Sequence, residues 1–263
     1  MIRKIILVLL LLLATPLLAN TSERVEVNKL RKQIEALSSV YQNNLNSSEL
    51  KSKRSMSNAQ ANLLIKVVSY EIYLKLRKNG VKRSIYDIQA SVRAAWLNSW
   101  VFTDLGKTHI DRFVTILQWG YDESGYKKNL ICHWKAGTYI KRLNKTVLKD
   151  TTDYGTWQIN ECHAQNIKIL NYLYESGIIN FKINKIKRLT DVMDTNTNAA
   201  ARCLVETDRK SRGWEWQHIG NKEFNLFLKT TVANLEAEGL YNRNFVQTYY
   251  YSAPIKTYSI PRK

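Results

Sequence analysis

The sequence predicts a mainly α protein of the α+β kind, with one small β hairpin and a helical N-terminal extension. Three observations carry that expectation. Only 3 Pro and 10 Gly occur in 263 residues, too few turn formers for a many-stranded all-β chain. Apolar residues recur at helical spacing through most of the length. Between Cys132 and Asn160 that period gives way to short β-prone pieces separated by Lys, Asn and Asp.

At the start, Arg3 and Lys4 precede an apolar run from Ile5 to Leu13, then Pro16 and Ala19. This is the charged, apolar and small-residue order of a secretory signal, cut near Ala19, so residues 1–19 are read as a signal peptide. An uncleaved anchor is the alternative, but the apolar run breaks before it reaches spanning length. Residues 20–83 form the extension. In it Val25, Leu30, Ile34 and Leu37 fall near helical spacing, and residues 43–58 are a polar, basic loop. Ser57 or Asn58 then caps a helix carrying Leu64, Val67, Val68, Ile72 and Leu76, closed by Asn79-Gly80.

Ser84 opens the next helix, with Ile88, Val92, Ala95 and Trp96 on one face. Ile110, Phe113, Val114 and Leu117 stand at i, i+3, i+4 and i+7 of another, which runs toward Gly120 and Gly125. The β-prone pieces are Gly137–Ile140, Thr146–Leu148 and Thr156–Ile159. Beyond them, Ile167–Tyr174 reads as a helix, Asp194 or Thr195 caps one through Leu204, and Phe224–Glu238 forms a last one. Residues 84–251 make up the main domain and 252–263 a basic tail.

The formal net charge is +18, and +16 once the signal is cut away. A field of that sign attracts polyanions, and export turns the choice toward anionic cell wall or membrane surface. No Arg-rich reading helix, RNA-binding signature or zinc-finger spacing accompanies it, so no nucleic-acid partner is expected. After signal cleavage no apolar stretch is long enough for an integral membrane protein. Of the three cysteines, Cys162 and Cys203 are the expected disulfide in an exported chain. Cys132-His133 and Cys162-His163 lack zinc-ligand spacing, and neither a metal nor a cofactor is expected.

Two motifs carry chemistry. Tyr121 to Tyr126 reads YDESGY, at a helix end where exposed carbonyls make the local field negative. Residues 151–160 read TTDYGTWQIN. Each motif alone is a common turn; their order, followed by the Asn/Ala-rich helix DTNTNAAARCLVE, is the signal. The series resembles the lysozyme-like superfamily of peptidoglycan-cleaving enzymes. ESGY with GTWQIN is similar to the soluble-type lytic transglycosylase (SLT) domain, and TDYGTWQIN resembles the hairpin of C-type lysozymes. The resemblance covers roughly residues 84–217. It departs in the 30-residue interval from Glu123 to Asp153, in the missing late Ala-Tyr-Asn motif and in the scarcity of cysteine.

The resemblance implies an exported enzyme, periplasmic or extracellular, that cleaves the β-1,4 bond between N-acetylmuramic acid and N-acetylglucosamine. Glu123 would be the general acid/base and Asp153 the second carboxylate. Gln158, Asn160, Tyr154 and Trp216 would bind the sugars; Gln158 and Asn160 are expected on one face of a strand. Ser124 is expected to brace the Glu123 turn, and Trp157 to pack in the core. Lytic transglycosylase is the first reading and hydrolysing lysozyme the alternative. An inactive wall-binding protein on the same fold is the third. The partners implied are peptidoglycan strands, and through the extension a cell-envelope or secretion assembly.

Overall fold

A computed structural model describes residue 25 and residues 58–140, 145–211 and 220–237. The expected signal peptide, the first part of the extension, the 252–263 tail, Trp214 and Trp216 lie outside the described residues. The described chain is mainly helical with a small antiparallel sheet. Its helices are α1 (Asn58–Lys78), α2 (Ile85–Val101), α3 (His109–Ser124), α4 (Ile169–Glu175), α5 (Thr195–Ser211) and α6 (Lys222–Ala237). Its strands are β1 (Ile131–Trp134), β2 (Tyr139–Ile140), β3 (Lys145–Thr146), β4 (Thr151–Tyr154) and β5 (Ile159–Asn160).

Local sequence accounts for the helix ends. Ser84 caps α2 by accepting the Tyr86 N–H, and Thr108 with Asp111 closes a capping box on α3. The Asp194 carboxylate accepts the Thr197 N–H at the head of α5. Asn221 does the same for Phe224 in α6. α1 ends where Gly80 turns at φ 75°, as the Asn79-Gly80 pair predicts.

The fold centres on α2, which packs against α1, α3 and α5; α6 closes the other side of α1 and α3. Leu64, Val67, Val68, Ile72 and Leu76 of α1 share one continuous core with Ile88, Val92, Trp96, Phe113, Leu117 and Trp157. The boundary expected after residue 83 therefore does not separate two cores: α1 belongs to the main body. Amphipathic periodicity shows that a face is buried but not which element buries it.

The sheet has the order β1-β4-β5, antiparallel throughout, and β2 and β3 form a separate two-stranded ladder between β1 and β4. The strand at Ile131–Trp134 falls outside the β-prone pieces read from sequence. The piece expected at Thr156–Ile159 is a strand only at Ile159. Residues 155–158 form a turn, with Gly155 at φ 77° and Gln158 at φ 49°.

The expected Cys162–Cys203 disulfide is absent. Cys203 lies fully buried in α5 and Cys162 is exposed on a 3-10 turn at Glu161–His163, and the two are not joined. The α5 periodicity turns Cys203 inward with Ala199 and Ala200, where burial holds its thiol well above the ordinary range. Among the described residues no helix is long and apolar enough to cross a membrane.

Candidate active site

Glu123 sits in the last turn of α3, with its side chain only 6 % exposed. The turn is held hard. Gly125 takes the left-handed conformation at φ 57° and its N–H returns to the Tyr121 carbonyl at 2.7 Å. The Arg83 guanidinium, from the segment before α2, donates to the carbonyls of Gly125 at 2.8 Å and Ser124 at 3.0 Å. These are the carbonyls that a helix C-terminus leaves without partners, so Arg83 serves as its cap. Ser124 braces the turn as expected: its hydroxyl donates to Gly120 O and accepts the Lys127 N–H.

Asp153 stands on β4. Strand alternation and the register Cys132↔Asp153↔Asn160 place Cys132, Trp134, Thr151, Asp153 and Asn160 on one face of the sheet. Both Asp153 oxygens are engaged: Oδ1 accepts from Asn160 Nδ2 at 2.6 Å and Oδ2 from the Trp134 indole at 2.8 Å. Desolvation pushes the carboxyl up from its ordinary value, the two hydrogen bonds oppose that, and the nearby Glu123 charge adds to it. The sheet thus brings Asp153 within the electrostatic reach of Glu123 despite the long interval between them.

A third charged group occupies the same place. Arg202 of α5, buried to 5 % exposure, reaches Glu123 Oε1 at 3.3 Å and Glu206 Oε1 at 3.0 Å. It also donates to Trp157 O at 3.4 Å and lies 5.6 Å from the Trp119 ring centroid. Glu206 in turn pairs with Arg209 at 2.7 Å. Glu123 thus lies at a helix end within reach of the Arg202 guanidinium, and both charges act on Asp153.

The turn after β4 is locked to α5 by one side chain. Asn198 accepts the Trp157 N–H at 2.7 Å and donates to Tyr154 O at 2.9 Å. A Cβ on Gly155 would stand 2.3 Å from Asn198 Nδ2, so only glycine fits, apart from its positive φ. Trp157 is fully buried and its indole donates to Ile116 O of α3. Gly120 lets it approach: a Cβ there would lie 3.2 Å from the indole ring. Trp157 is therefore core, as its place in the motif predicts.

The other expected sugar-binding residues divide. Asn160 joins Asp153 on the sheet face. Gln158 does not: it lies in the turn, 6 % exposed, and its amide donates to Gly155 O and Leu130 O. The correction has a plain cause, since the left-handed residue at 158 breaks the alternation that would have aligned it with Asn160. Tyr154 is partly buried against the core, on the sheet face opposite Asp153. Trp216 falls outside the described residues.

Arg83, Trp134, Asn198 and Arg202 were not legible as site residues. Arg202 and Glu206 are i,i+4 partners, a visible pair, but Glu123 lies 79 positions from Arg202 and no local pattern links them. Among the described residues no group of three or more His, Cys, Asp or Glu stands where it could hold a metal ion. Compared with protein-family models, with curated proteins and with solved structures, the chain matches none.

Proposed function

We propose that this chain is an exported lysozyme-like enzyme that cleaves the β-1,4 bond of peptidoglycan between N-acetylmuramic acid and N-acetylglucosamine, as a lytic transglycosylase. The observation that carries the reading is the pairing of two carboxylates from distant motifs. Glu123 is shielded at a helix end, and Asp153, held by Trp134 and Asn160, is close enough for the Glu123 charge to raise its proton affinity. Two such groups on either side of a glycosidic bond are the equipment of glycoside cleavage.

Glu123 donates its proton to the glycosidic oxygen, and the C1–O bond breaks with its electron pair passing to the leaving sugar. The oxocarbenium-like muramyl centre is stabilised by the negative charge of Asp153. Glu123, now ionised, takes the proton of the muramic 6-hydroxyl, whose oxygen closes on C1 to leave a 1,6-anhydro end. Arg202 holds the Glu123 carboxylate in place during this exchange. Asn160 keeps Asp153 oriented rather than binding sugar directly.

One observation favours a second reading, retaining hydrolysis with Asp153 as nucleophile. Asp153 lies in the field of Glu123, and retaining hydrolysis draws on two carboxyl groups about 5–5.5 Å apart. Mass spectrometry of muropeptides released from purified peptidoglycan separates the two. Anhydro ends from wild type and from Asp153→Asn mean transglycosylation. Reducing ends that vanish in Asp153→Asn mean hydrolysis. Glu123→Gln is expected to release nothing, and full activity in that variant would sink both readings. No product from the wild type returns the chain to the class of wall-binding proteins.

A further inference from the structure

Glu206 is a buried carboxyl group to which the cleavage steps assign no task, although it touches the cation that touches Glu123. Its side chain, 4 % exposed, lies one turn beyond Arg202 on α5. One oxygen, Oε1, meets two guanidinium groups: Arg202 Nε at 3.0 Å and Arg209 Nη1 at 2.7 Å. Arg202 in turn places Nη2 at 3.3 Å from Glu123 Oε1. The i,i+4 and i,i+3 spacing along α5 accounts for the first two contacts. Only the fold supplies the third.

A guanidinium only 6 % exposed needs a carboxylate beside it, because an uncompensated charge in such a place is costly. A cation whose sole counter-ion is a carboxyl group favours that group's ionised form, the wrong form for an acid that must begin by giving a proton. Glu206 removes the conflict. While Glu123 carries its proton, Arg202 stays paired with Glu206. Once the proton has passed to the glycosidic oxygen, the new carboxylate appears 3.3 Å from the same guanidinium. The charge balance agrees. The groups that face one another here are Arg202, Arg209 and Glu206 from α5, Glu123 from α3 and Asp153 from β4. Fully ionised they carry one net negative charge, so one proton among the carboxyl groups leaves the cluster neutral.

We propose that Glu206 is a positioning residue for the cleavage reaction: it acts on Glu123 through Arg202, holding the guanidinium while Glu123 is protonated and sharing it while Glu123 is ionised. The role rests on the function proposed above. Glu206 touches no substrate and neither gains nor loses a proton. The proton leaves Glu123 for the glycosidic oxygen and is replaced from the muramic 6-hydroxyl, so the count at Glu206 is the same before and after. Arg209, 26 % exposed, ties Glu206 from the solvent side and fixes the end of the chain of charges.

The test is the rate of muropeptide release from purified peptidoglycan by the full chain, at saturating and at limiting substrate, for wild type, Glu206→Gln and Glu206→Asp. Glu206→Gln keeps the size and removes the charge. It is expected to lower kcat at least about tenfold while KM changes by less than about twofold. Glu206→Asp keeps the charge on a shorter stem and is expected to run at least about threefold faster than Glu206→Gln. A residue that only packs gives the reverse order, because the isosteric Gln then disturbs less than Asp. That order, a Glu206→Gln chain at full rate, or a loss carried by KM overturns the proposal. Arg202→Met/Glu206→Gln covers the case in which Glu206→Gln does not fold, since it leaves no guanidinium at 202 in need of a partner. Compared with Arg202→Met alone it is expected to be slower by no more than about twofold, because Glu206 acts through Arg202; a further loss of about tenfold overturns the proposal. A wild type that releases no muropeptide ends the cleavage reading and this role together, whereas an active wild type with an unaffected Glu206→Gln ends this role alone.

Discussion

Asp153 shows how one carboxyl reports its surroundings. Desolvation raises its proton affinity in the folded protein above that in the unfolded chain. By linkage, the stability it contributes is fully present below its unfolded value, about 3.9, and is lost as pH rises through the higher folded value. Wild type should therefore lose stability relative to Asp153→Asn as pH rises above about 4, a trend that thermal unfolding at several pH values would read. A difference that does not vary with pH contradicts the desolvated setting. Arg202 poses a complementary question, because its guanidinium joins Glu123 to Glu206 inside the core. Arg202→Met removes the guanidinium that Glu123 and Glu206 share, although Glu206 keeps Arg209, and a loss of about 3–5 kcal/mol is expected in urea unfolding.

At the scale of elements, the site depends on how the end of α3 and the turn after β4 are fastened. Arg83 ties the last carbonyls of α3 to the segment entering α2. Arg83→Met removes two charge-assisted bonds and is expected to cost about 1–3 kcal/mol, and, if the proposed function holds, to slow glycan cleavage by loosening the Glu123 turn. Unchanged stability and rate would show that the cap is idle. The Asn198 clamp on Tyr154 and Trp157 makes Gly155 irreplaceable. Gly155→Ala must relieve both a 2.3 Å overlap and a left-handed backbone, and the expected loss exceeds about 1 kcal/mol by either cause alone. Asn198→Ala should not rescue it, since the Trp157 N–H is then buried without its acceptor. A double-mutant cycle in denaturant decides this.

For the molecule as a whole, the extension read from sequence is divided: its second half, α1, is part of the core that positions α2 and α3. Leu76, fully buried and 47 positions before Glu123, should cost about 2–5 kcal/mol when changed to Ala. It should do so in the same cooperative transition as a core residue such as Phe113. Two separate transitions would restore the expected boundary. The net charge of +18 acts at this scale too: if the proposed function holds, attachment to anionic peptidoglycan should weaken steeply as salt rises from about 0.05 to about 0.5 M, as the Debye length contracts.

What the sequence determined by itself is local. Ser84, Asp194 and the Asn79-Gly80 stop declare helix ends through bonds made within a few residues, and each stands where it was read; the Thr108–Asp111 box is equally local. The motifs YDESGY and TTDYGTWQIN singled out Glu123 and Asp153 only through a resemblance to a known family, whereas Ser124 and Trp157 took the supporting places expected of them. The tertiary structure decided what joins distant segments. Arg202 against Glu123, Asn198 on the turn at 155–158, Trp134 on Asp153 and Arg83 on the end of α3 are partners 19 to 79 positions apart. No periodicity encodes such pairs, because they depend on how helices and strands pack together. Gln158 makes the point from the other side: one left-handed residue turned its amide from a presumed sugar-facing strand into the backbone of its own turn.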